Sequence, residues 1–540
     1  SVHLMLVSLN IQDIPLAYTP PRGPAIEFQL NYSQREMNQP ATLNFANLGP
    51  RWNLNWISTL TFDTNNAILN EGTGGILTFP NFSSESSRSD PEPMTASYLE
   101  RISPTEYHQR FGDSSVHVFD VTDGTRWFLS GMIDPQGRTV TLEYDGQYRL
   151  EAIVDAIGQA TTFTYDFGAD SNKITKITDP FGRTAQFEYD TLGRLVMITD
   201  AVGLTSQFSY KGDGDEIVSL ITGYGTTTFN TTELLDEEDE ILTRSLVATY
   251  PDGSQEKWEA FFSASTIPDK EPAGLVPQGM PTLNEYLEYR NTFYWDRKGM
   301  KEAPGIYEKA HIYHWNHDIG NLTLTGRLLE SERPPLEYRI WYYYKGQTKP
   351  LAPEEGTLNL LTHIGRVLDD GSTQLHQIDY NDAGNIITKV DPVGRRTLYF
   401  YDESGIDLES VSQSVNGGVE RLLTISYNED HLPLTFAGQD AQAYLYTYNT
   451  DSKVETITHP DGEVTTFTYE DGYLKEITGP AAGDTESTSL TYDTEGRVRT
   501  ITNALGYVVE FAYDNLDRLV SISYPDGTSH RVEYSLLDIS

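Results

Sequence analysis

The 540-residue chain contains no cysteine and is poor in basic residues. Without cysteine it forms no disulfide and performs no thiolate chemistry. Its 38 Lys and Arg residues face 79 Asp and Glu residues, which gives a formal net charge of −41. Such a charge repels phosphate backbones and anionic membranes, and no run of about 18 apolar residues is present that would span a bilayer. We therefore expect neither nucleic acid nor direct membrane insertion among its interactions.

The familiar catalytic motifs are also missing. The sequence has no Gly-x-Ser-x-Gly elbow, no His-Glu-x-x-His pair and no phosphate loop that ends in Gly-Lys-Ser or Gly-Lys-Thr. The stretch "GYGTTT" from Gly223 has two glycines of a dinucleotide fingerprint but lacks the third and the helix that should follow. The sequence therefore predicts a protein that is not an enzyme and that uses no cofactor.

Turn motifs, by contrast, recur. The stretch "DPFGRTAQFEYDTLGRLVMITDAVG" contains three Asp-x-x-Gly tetrads between Asp179 and Gly203. Asp at the first position and Gly at the fourth are typical of a tight turn. Between the first two tetrads, Ala185, Phe187 and Tyr189 alternate with polar residues, which is the period of a strand with one apolar face. The next strand, Leu195 to Ile198, is apolar on both faces, so the stretch predicts successive β-hairpins.

The same unit repeats along the chain. Tyrosine followed by Asp or a near substitute marks each copy, and the commonest step between copies is 21 residues: Tyr144, Tyr165, Tyr189, Tyr210, Tyr380, Tyr401, Tyr427, Tyr448, Tyr469, Tyr492, Tyr513 and Tyr534. A step of that length holds two short strands and two turns. One hairpin cannot bury its own apolar face, so we expect the hairpins to stack side by side.

Two copies carry the clearest likeness to a known family. The segments "YDTLGRL" from Tyr189 and "YDTEGRV" from Tyr492 resemble the YD repeats of Rhs-family proteins, which include the C components of Tc toxins and the teneurins. The resemblance implies an all-β fold in which a spiral of hairpins closes into a hollow shell, although this stretch need not complete it. Some copies depart from the pattern, since Asp517 replaces the turn glycine after Tyr513 and the step from Tyr401 to Tyr427 is 26 residues.

Four regions follow from the spacing. We predict a β-rich region at 1–138 that leads into the shell, YD repeats at 139–210, a diverged or inserted part of the same sheet at 211–372, and YD repeats at 373–540. Within the third region, "WDRKGMKEAPGIYEKA" is expected to hold a short helix and "DEEDE", Asp236 to Glu240, a solvated loop.

The candidate site residues are mainly those of the repeats. Their expected role is structural: Tyr144, Tyr165, Tyr189, Asp190, Gly193, Arg194, Tyr401, Asp402, Tyr492, Asp493, Gly496, Arg497, Tyr513 and Asp514. The one metal candidate is "HIYHWNHD", in which His311, His314 and His317 are imidazole ligands of the kind zinc uses. On a regular strand His314 points away from the other two, so a hydrogen-bonded role inside the sheet is the favoured interpretation and no metal is predicted.

The resemblance also implies a function. Rhs-type shells enclose and deliver a C-terminal toxin or effector segment, which is not present in this chain, so the expected partner is an enclosed polypeptide and the expected location is secreted or at the cell surface. The alternative is an extracellular adhesion protein of the teneurin kind, with a cell-surface partner. A third hypothesis is an enzyme that degrades surface polysaccharides.

Overall fold

The chain is built almost entirely of antiparallel β-strands. The computed structural model describes residues 1–36, 39, 43–83, 85–235, 241–318, 321–347, 358–415, 417–480 and 487–539. Across these ranges the helical elements are α1 (Arg297–Glu302) and two 3-10 segments, Ala273–Leu275 and Tyr307–Lys309. None of these helices has the length and apolar character needed to cross a bilayer. The all-β prediction is confirmed, and the predicted short helix is α1.

The strands before the first clear repeat are short. They are β1 (Val2–His3), β2 (Ser8–Asp13), β3 (Ala17–Tyr18), β4 (Ile26–Glu27), β5 (Leu30–Ser33), β6 (Trp52–Leu54), β7 (Thr59–Phe62), β8 (Ala67–Asn70), β9 (Ile76–Phe79), β10 (Tyr98–Ser103), β11 (Glu106–Arg110), β12 (Val116–Thr122) and β13 (Trp127–Ile133).

The middle strands include the first repeats and the diverged region. They are β14 (Thr139–Tyr144), β15 (Leu150–Val154), β16 (Ala160–Thr164), β17 (Lys176–Thr178), β18 (Thr184–Tyr189), β19 (Leu195–Thr199), β20 (Thr205–Tyr210), β21 (Ile217–Thr222), β22 (Gly225–Leu235), β23 (Ile241–Thr249), β24 (Gln255–Phe261), β25 (Asn291–Trp295), β26 (His311–Asp318), β27 (Asn321–Arg333), β28 (Ile340–Tyr344), β29 (Leu361–Val367) and β30 (Thr373–Tyr380). The acidic stretch 236–240, predicted as a solvated loop, lies outside the described residues.

The last strands contain the second block of repeats. They are β31 (Ile386–Val390), β32 (Arg396–Tyr401), β33 (Leu408–Val415), β34 (Gly418–Tyr427), β35 (Pro433–Gly438), β36 (Ala443–Tyr448), β37 (Val454–Thr458), β38 (Val464–Glu470), β39 (Tyr473–Thr478), β40 (Ser487–Tyr492), β41 (Val498–Thr502), β42 (Val508–Tyr513), β43 (Leu519–Ser523), β44 (Ser529–Arg531), β45 (Tyr534–Ser535) and β46 (Asp538–Ile539).

One 38-stranded sheet contains most of these elements. From β10 to β44 each strand pairs with the next along the chain, and β7, β8 and β9 join this ribbon through β7, which pairs with β13. The strands of the diverged region therefore belong to the same sheet as the repeats. Among the described strands β44 does not pair with β10, so the sheet is open at its ends.

Side-chain alternation gives the ribbon two faces. In β18, Ala185 and Phe187 are buried, whereas Gln186 and Glu188 are exposed. We call the face that carries Ala185 and Phe187 the inner face. A register shift next to Tyr189 forms a β-bulge. The bulge keeps Leu195 and Ile198 buried on the inner face and leaves Val196 and Met197 half-buried on the outer face, which explains why β19 is apolar on both sides.

The ribbon coils so that distant parts of the chain meet. The backbone N–H of Leu537 donates to the hydroxyl of Tyr224, 313 residues earlier, over 2.9 Å. The guanidinium of Arg183 donates to the carboxylate of Asp517, a separation of 334 residues. A little over 300 residues thus complete one turn of this spiral. We use first turn for the section of hairpins at residues 139–222 and second turn for the section at residues 386–531.

The N-terminal strands cover the inner face of the first turn. Strands β1, β2, β5 and β6 form a small sheet, and their apolar residues share one core cluster with β14 to β24. Leu30, Trp52 and Phe187 are all nearly inaccessible. Beyond Val367, no apolar side chain of the described residues is buried. The inner face of the second turn therefore stays uncovered.

Candidate functional site

Each repeat begins with a turn built around its aspartate. The N–H of Gly193 donates to the carbonyl of Asp190 over 3.0 Å. One carboxylate oxygen of Asp190 accepts from the N–H groups of Leu192 and Arg194, and the other accepts from the Arg194 guanidinium over 2.7 Å. These hydrogen bonds and the ion pair hold the pKa of Asp190 below its usual value, against the effect of burial. The aspartate therefore remains a charged acceptor that fixes the turn.

The fourth position of these turns takes a left-handed backbone. Gly193 has φ 76° and Gly496 has φ 80°, a region that side chains with a Cβ resist. The turn after Tyr513 keeps this conformation without glycine, because Asp517 has φ 60° there. Its hydrogen bonds are the same, with the Arg518 side chain bound to Asp514 over 2.8 Å. The turn at Asp402 is one residue longer, and its carboxylate accepts from Asp407 N.

The repeat tyrosines connect each hairpin to the previous one. The hydroxyl of Tyr189 donates to the carbonyl of Ile174 over 2.6 Å, a step of 15 residues back along the chain. The same step is made by Tyr144, Tyr165, Tyr210, Tyr344, Tyr401, Tyr448, Tyr469, Tyr513 and Tyr534. The hydroxyl of Tyr492 reaches back 18 residues to Leu474 O. Burial raises the pKa of Tyr189 well above its ordinary value, so its hydroxyl stays a donor.

The arginine of each turn extends this network forward. The Arg194 guanidinium lies 4.7 Å from the ring centre of Tyr210, and that of Arg497 lies 5.2 Å from the ring of Tyr513. A guanidinium over an aromatic ring is attracted by the electron density of the ring face. The Tyr-Asp-x-x-Gly-Arg motif is thus a structural device that joins hairpin to hairpin.

Aromatic side chains of the N-terminal strands pack onto the inner face of the first turn. The ring of Phe28 lies 6.0 Å from Phe163, and the ring of Trp52 lies 4.9 Å from Phe208. The indole N–H of Trp52 also donates to the hydroxyl of Tyr210 over 3.0 Å. The inner face of the first turn is therefore already covered by the N-terminal strands of the same chain.

The second turn presents the same face without such a cover. Cross-strand partners and the repeated bulges place twenty residues of β36 to β43 on it: Tyr444, Tyr446, Tyr448, Val454, Ile457, Thr465, Phe467, Tyr469, Leu474, Ile477, Thr488, Leu490, Tyr492, Val498, Ile501, Val509, Phe511, Tyr513, Leu519 and Ile522. We call this set the inner wall. None of its residues is charged, and most are half-buried rather than buried.

Charge is confined to the opposite face of these strands. The charged residues of β36 to β43 are Glu455, Glu470, Lys475, Glu476, Arg499 and Glu510. Alternation, together with the bulges opposite the repeat tyrosines, places all of them on the outer face. Threonines pair there as well, with the hydroxyls of Thr491 and Thr500 2.6 Å apart. Strands β36 to β43 therefore have an acidic, polar outside and an uncharged, aromatic-rich inside.

The three candidate histidines do not converge. His311 contacts Glu332 at 2.9 Å, near the surface. His314 is fully buried, with Nδ1 3.1 Å from Asn291 Oδ1 and Nε2 3.1 Å from the Arg290 guanidinium. Because the Asn291 amide group donates to two backbone carbonyls, its oxygen is the acceptor and His314 carries its proton on Nδ1. Burial and the nearby Arg290 keep the pKa of His314 well below its ordinary value.

Irregular pairing also changes the face of the third histidine. Register shifts on both sides of Trp315 interrupt the alternation of β26. His317 consequently lies in the buried interior with His314, not on the face of His311 as a regular strand predicts. Among the described residues no group of three or more His, Asp or Glu side chains is arranged to hold a metal ion.

Comparison with known proteins identifies the repeats. The family model "RHS Repeat" matches residues 170–205 and 492–529, which confirms the resemblance seen in the sequence at these two sites. A search of curated proteins gives no match.

Solved structures of Tc toxin components are similar over nearly the whole chain. A Photorhabdus luminescens Tc holotoxin pore with a mutated TccC3 matches at 13% identity with a TM-score of 0.43, and TcdB2–TccC3–Cdc42 at 11% with a TM-score of 0.45. TcdB2–TccC3 without its hypervariable C-terminal region matches at 12% with a TM-score of 0.43. In each case 95% of this chain is covered but only 27% of the other chain, so the present chain spans about a quarter of those structures.

Proposed function

Because the chain carries Rhs repeats, we propose that it is a section of a protein wall that encloses a polypeptide and delivers it. The enclosed segment would be a C-terminal toxin or effector part of a longer chain, released outside the producing cell or at its surface. The wall itself would catalyse nothing. The observation that carries this proposal is the inner wall, which is apolar, uncharged and without cover in the second turn.

The physical argument concerns what such a surface does to a neighbouring chain. A wall without charged groups forms no ion pairs with its contents, so it can lie against segments of many sequences. Its half-buried aromatic and aliphatic side chains shield apolar residues of an unfolded segment from water. The acidic outer face keeps the whole assembly soluble.

The first turn supports the same interpretation. There the inner face already holds a stretch of polypeptide, since the N-terminal strands lie against it with Phe28 and Trp52 fully buried. This face of the repeats is therefore able to pack against a chain segment.

An adhesion function requires a recognition surface on the outside. The repeat tyrosines do not provide it, because their hydroxyls donate to carbonyls within the sheet. This favours enclosure over adhesion.

Protease protection tests the proposal in the longer natural chain. A flexible reporter peptide placed in the segment after Ser540 should resist added protease while the wall is intact and be digested once denaturant opens it. The control is the same peptide inserted in the exposed turn at Asp252, which should be digested at the rate of the free peptide. Equal digestion at both positions would contradict enclosure.

Solution scattering tests the present chain. A solid globule of this length has a radius of gyration of about 24 Å. An open curved wall should give a clearly larger value with a monomeric mass. A monomer at the solid-globule value would leave the enclosure proposal without its geometric basis.

A further inference from the structure

One position of the repeat defines a row of rings on the inner face. It lies two residues before the repeat tyrosine, and strand alternation puts it on the same face as that tyrosine. In the first turn the position is Leu142, Phe163, Phe187 and Phe208 in successive hairpins. In the second turn it is Tyr399, Ile425, Tyr446, Phe467, Leu490 and Phe511. We call the aromatic members of this series the ring positions.

The first turn shows what fits at this position. Phe163 meets Phe28 at a ring distance of 6.0 Å and an interplanar angle of 70°. Phe208 meets Trp52 at 4.9 Å and 59°. Phe163 and Phe208 are consequently at most 9% exposed. Two of the ring positions in the first turn therefore each accept an aromatic side chain from the N-terminal region, Phe28 from the segment just before β5 and Trp52 from β6, which pairs with β5.

The second turn has the same rings without partners. In the part of the chain that the structure describes, no aromatic ring packs on Tyr446, Phe467 or Phe511. All three remain half-buried. Successive copies of this position are separated by two strands, hence about 10 Å across the sheet, and an extended chain covers that distance in about three to four residues. Phe467 and Phe511 lie on either side of Leu490, so they are about 20 Å apart, a distance of about six to seven residues.

From this correspondence we infer that the inner wall of the second turn binds an extended polypeptide segment through three aromatic side chains that seat on Tyr446, Phe467 and Phe511. The first two are separated by about three to four residues, and the third follows after about a further six to seven. The inference rests on the proposed function and specifies the chemistry of the enclosed segment. Charged side chains find no partner on this wall. Offset and edge-to-face ring contacts, as at Phe163 and Phe208, supply the preference for aromatic over aliphatic residues.

Two peptides provide the probe. One is a fluorescently labelled twelve-residue peptide of Gly, Ser and Thr with tryptophan at positions 2, 5 and 11, which matches the two unequal gaps, and the other has leucine at the same three positions. Binding to the whole chain is measured by fluorescence anisotropy. We expect the tryptophan peptide to bind at least tenfold more tightly. Equal affinities, or no binding of the tryptophan peptide, would overturn the inference.

Variants locate the contact. Replacing Phe467 and Phe511 together by leucine keeps apolar side chains at both positions, and this pair should reduce the preference for tryptophan to less than threefold. Phe400→Leu is the matched control, because Phe400 is 48% exposed on the outer face. It should leave both affinities unchanged. Loss of the preference in Phe400→Leu, or its retention in the double variant, would contradict the inference.

The peptides and the protease assay can fail separately. If the reporter after Ser540 is protected but both peptides bind equally, the wall encloses polypeptide without selecting aromatic residues, and this inference fails alone. If the tryptophan preference depends on Phe467 and Phe511 but the reporter is digested freely, the ring contacts stand and enclosure fails.

Discussion

Arg183 and Asp517 stand 334 residues apart in the sequence, and Nη1 of Arg183 donates to Oδ1 of Asp517 over 2.7 Å. The same guanidinium donates through Nε to Asp179 at 2.7 Å and through Nη2 to the carbonyl of Ala17 at 2.9 Å. Arg183 therefore joins the tight turn at Asp179, in the first turn of the spiral, to the second turn of the spiral and to the N-terminal strands. Asp179 is fully buried beneath it.

Removing this guanidinium should destabilise the protein strongly. In Arg183→Met the Asp179 carboxylate stays buried without its ion pair, a change that typically costs about 3–5 kcal/mol. We expect the midpoint of urea denaturation to fall, with solution scattering reporting separation of the two turns before global unfolding.

A matched variant at Arg395 compares the same Arg–Asp contact in an exposed position. Arg395 makes the same contact with Asp391, at 2.6 Å and four residues away, but its side chain is 64% exposed. Arg395→Met should cost less than about 1 kcal/mol, as exposed ion pairs do. Equal losses in the two variants would show that Arg183 does not join the turns.

The repeat could be read from the sequence because its signals are local. The Asp-x-x-Gly tetrads and the alternation around Phe187 lie within a few residues of each other. The hairpins and their side-by-side stacking can therefore be predicted from the sequence alone. The contact between Arg183 and Asp517 could not be inferred in this way. Its signal, an Asp-x-x-Gly-Arg motif, occurs in several copies, and nothing in one copy tells which distant turn it faces.

The N-terminal strands and the histidines show two further limits. Apolar alternation around Phe28 predicts a strand but not that its ring packs on Phe163, because packing between strands distant in sequence depends on the coil of the whole ribbon. In β26 the pairing irregularities around Trp315 change the face of His317. Such bulges depend on how the neighbouring strand fits, which the sequence of β26 does not encode by itself.

The hydroxyl of a repeat tyrosine should contribute measurably to stability. Tyr189→Phe removes the 2.6 Å bond to Ile174 O and leaves that carbonyl without this donor, so we expect a loss of about 1–3 kcal/mol. Tyr444→Phe is the control, since Tyr444 lies on the same face and is 38% exposed, and its hydroxyl donates to no carbonyl of the described residues. Urea denaturation of both variants gives the comparison. A loss in Tyr444→Phe as large as that in Tyr189→Phe would refute the role of the bond.

The turn glycines should resist a β-branched replacement. Gly193→Val and Gly496→Val each place a side chain at φ near 80°, where strain costs on the order of 1–3 kcal/mol. Gly496→Val should be the worse of the two, because a Cβ there would lie 2.4 Å from the hydroxyl of Tyr473, whereas at Gly193 the nearest atom is the flexible Lys173 side chain at 3.3 Å. Unchanged denaturation midpoints would show that these positions do not need glycine.

Glu330 should make stability depend on pH in an unusual direction. Its carboxyl is buried beside Arg290 and His314, and burial raises its pKa to about 7 while Arg290 and Arg339 oppose the rise. In the unfolded chain the pKa is about 4.3. Between these values the folded protein holds a proton that the unfolded chain has released, so Glu330 lowers the free energy of unfolding as pH rises from about 4.5 to about 7.

The isosteric variant Glu330→Gln isolates this contribution. It cannot titrate, so the free energy of unfolding of the native protein minus that of Glu330→Gln should fall between pH 5 and pH 8, by about 3 kcal/mol if the full shift is expressed. His314 opposes this trend in both proteins, because its lowered pKa removes stability as pH falls below about 6.5, and the subtraction largely cancels it. Urea denaturation at half-unit pH intervals is the measurement. If the difference in free energy of unfolding stays constant across this pH range, or rises with pH, Glu330 is ionised in the folded protein. Arg290 and Arg339 would then outweigh the effect of burial on its pKa.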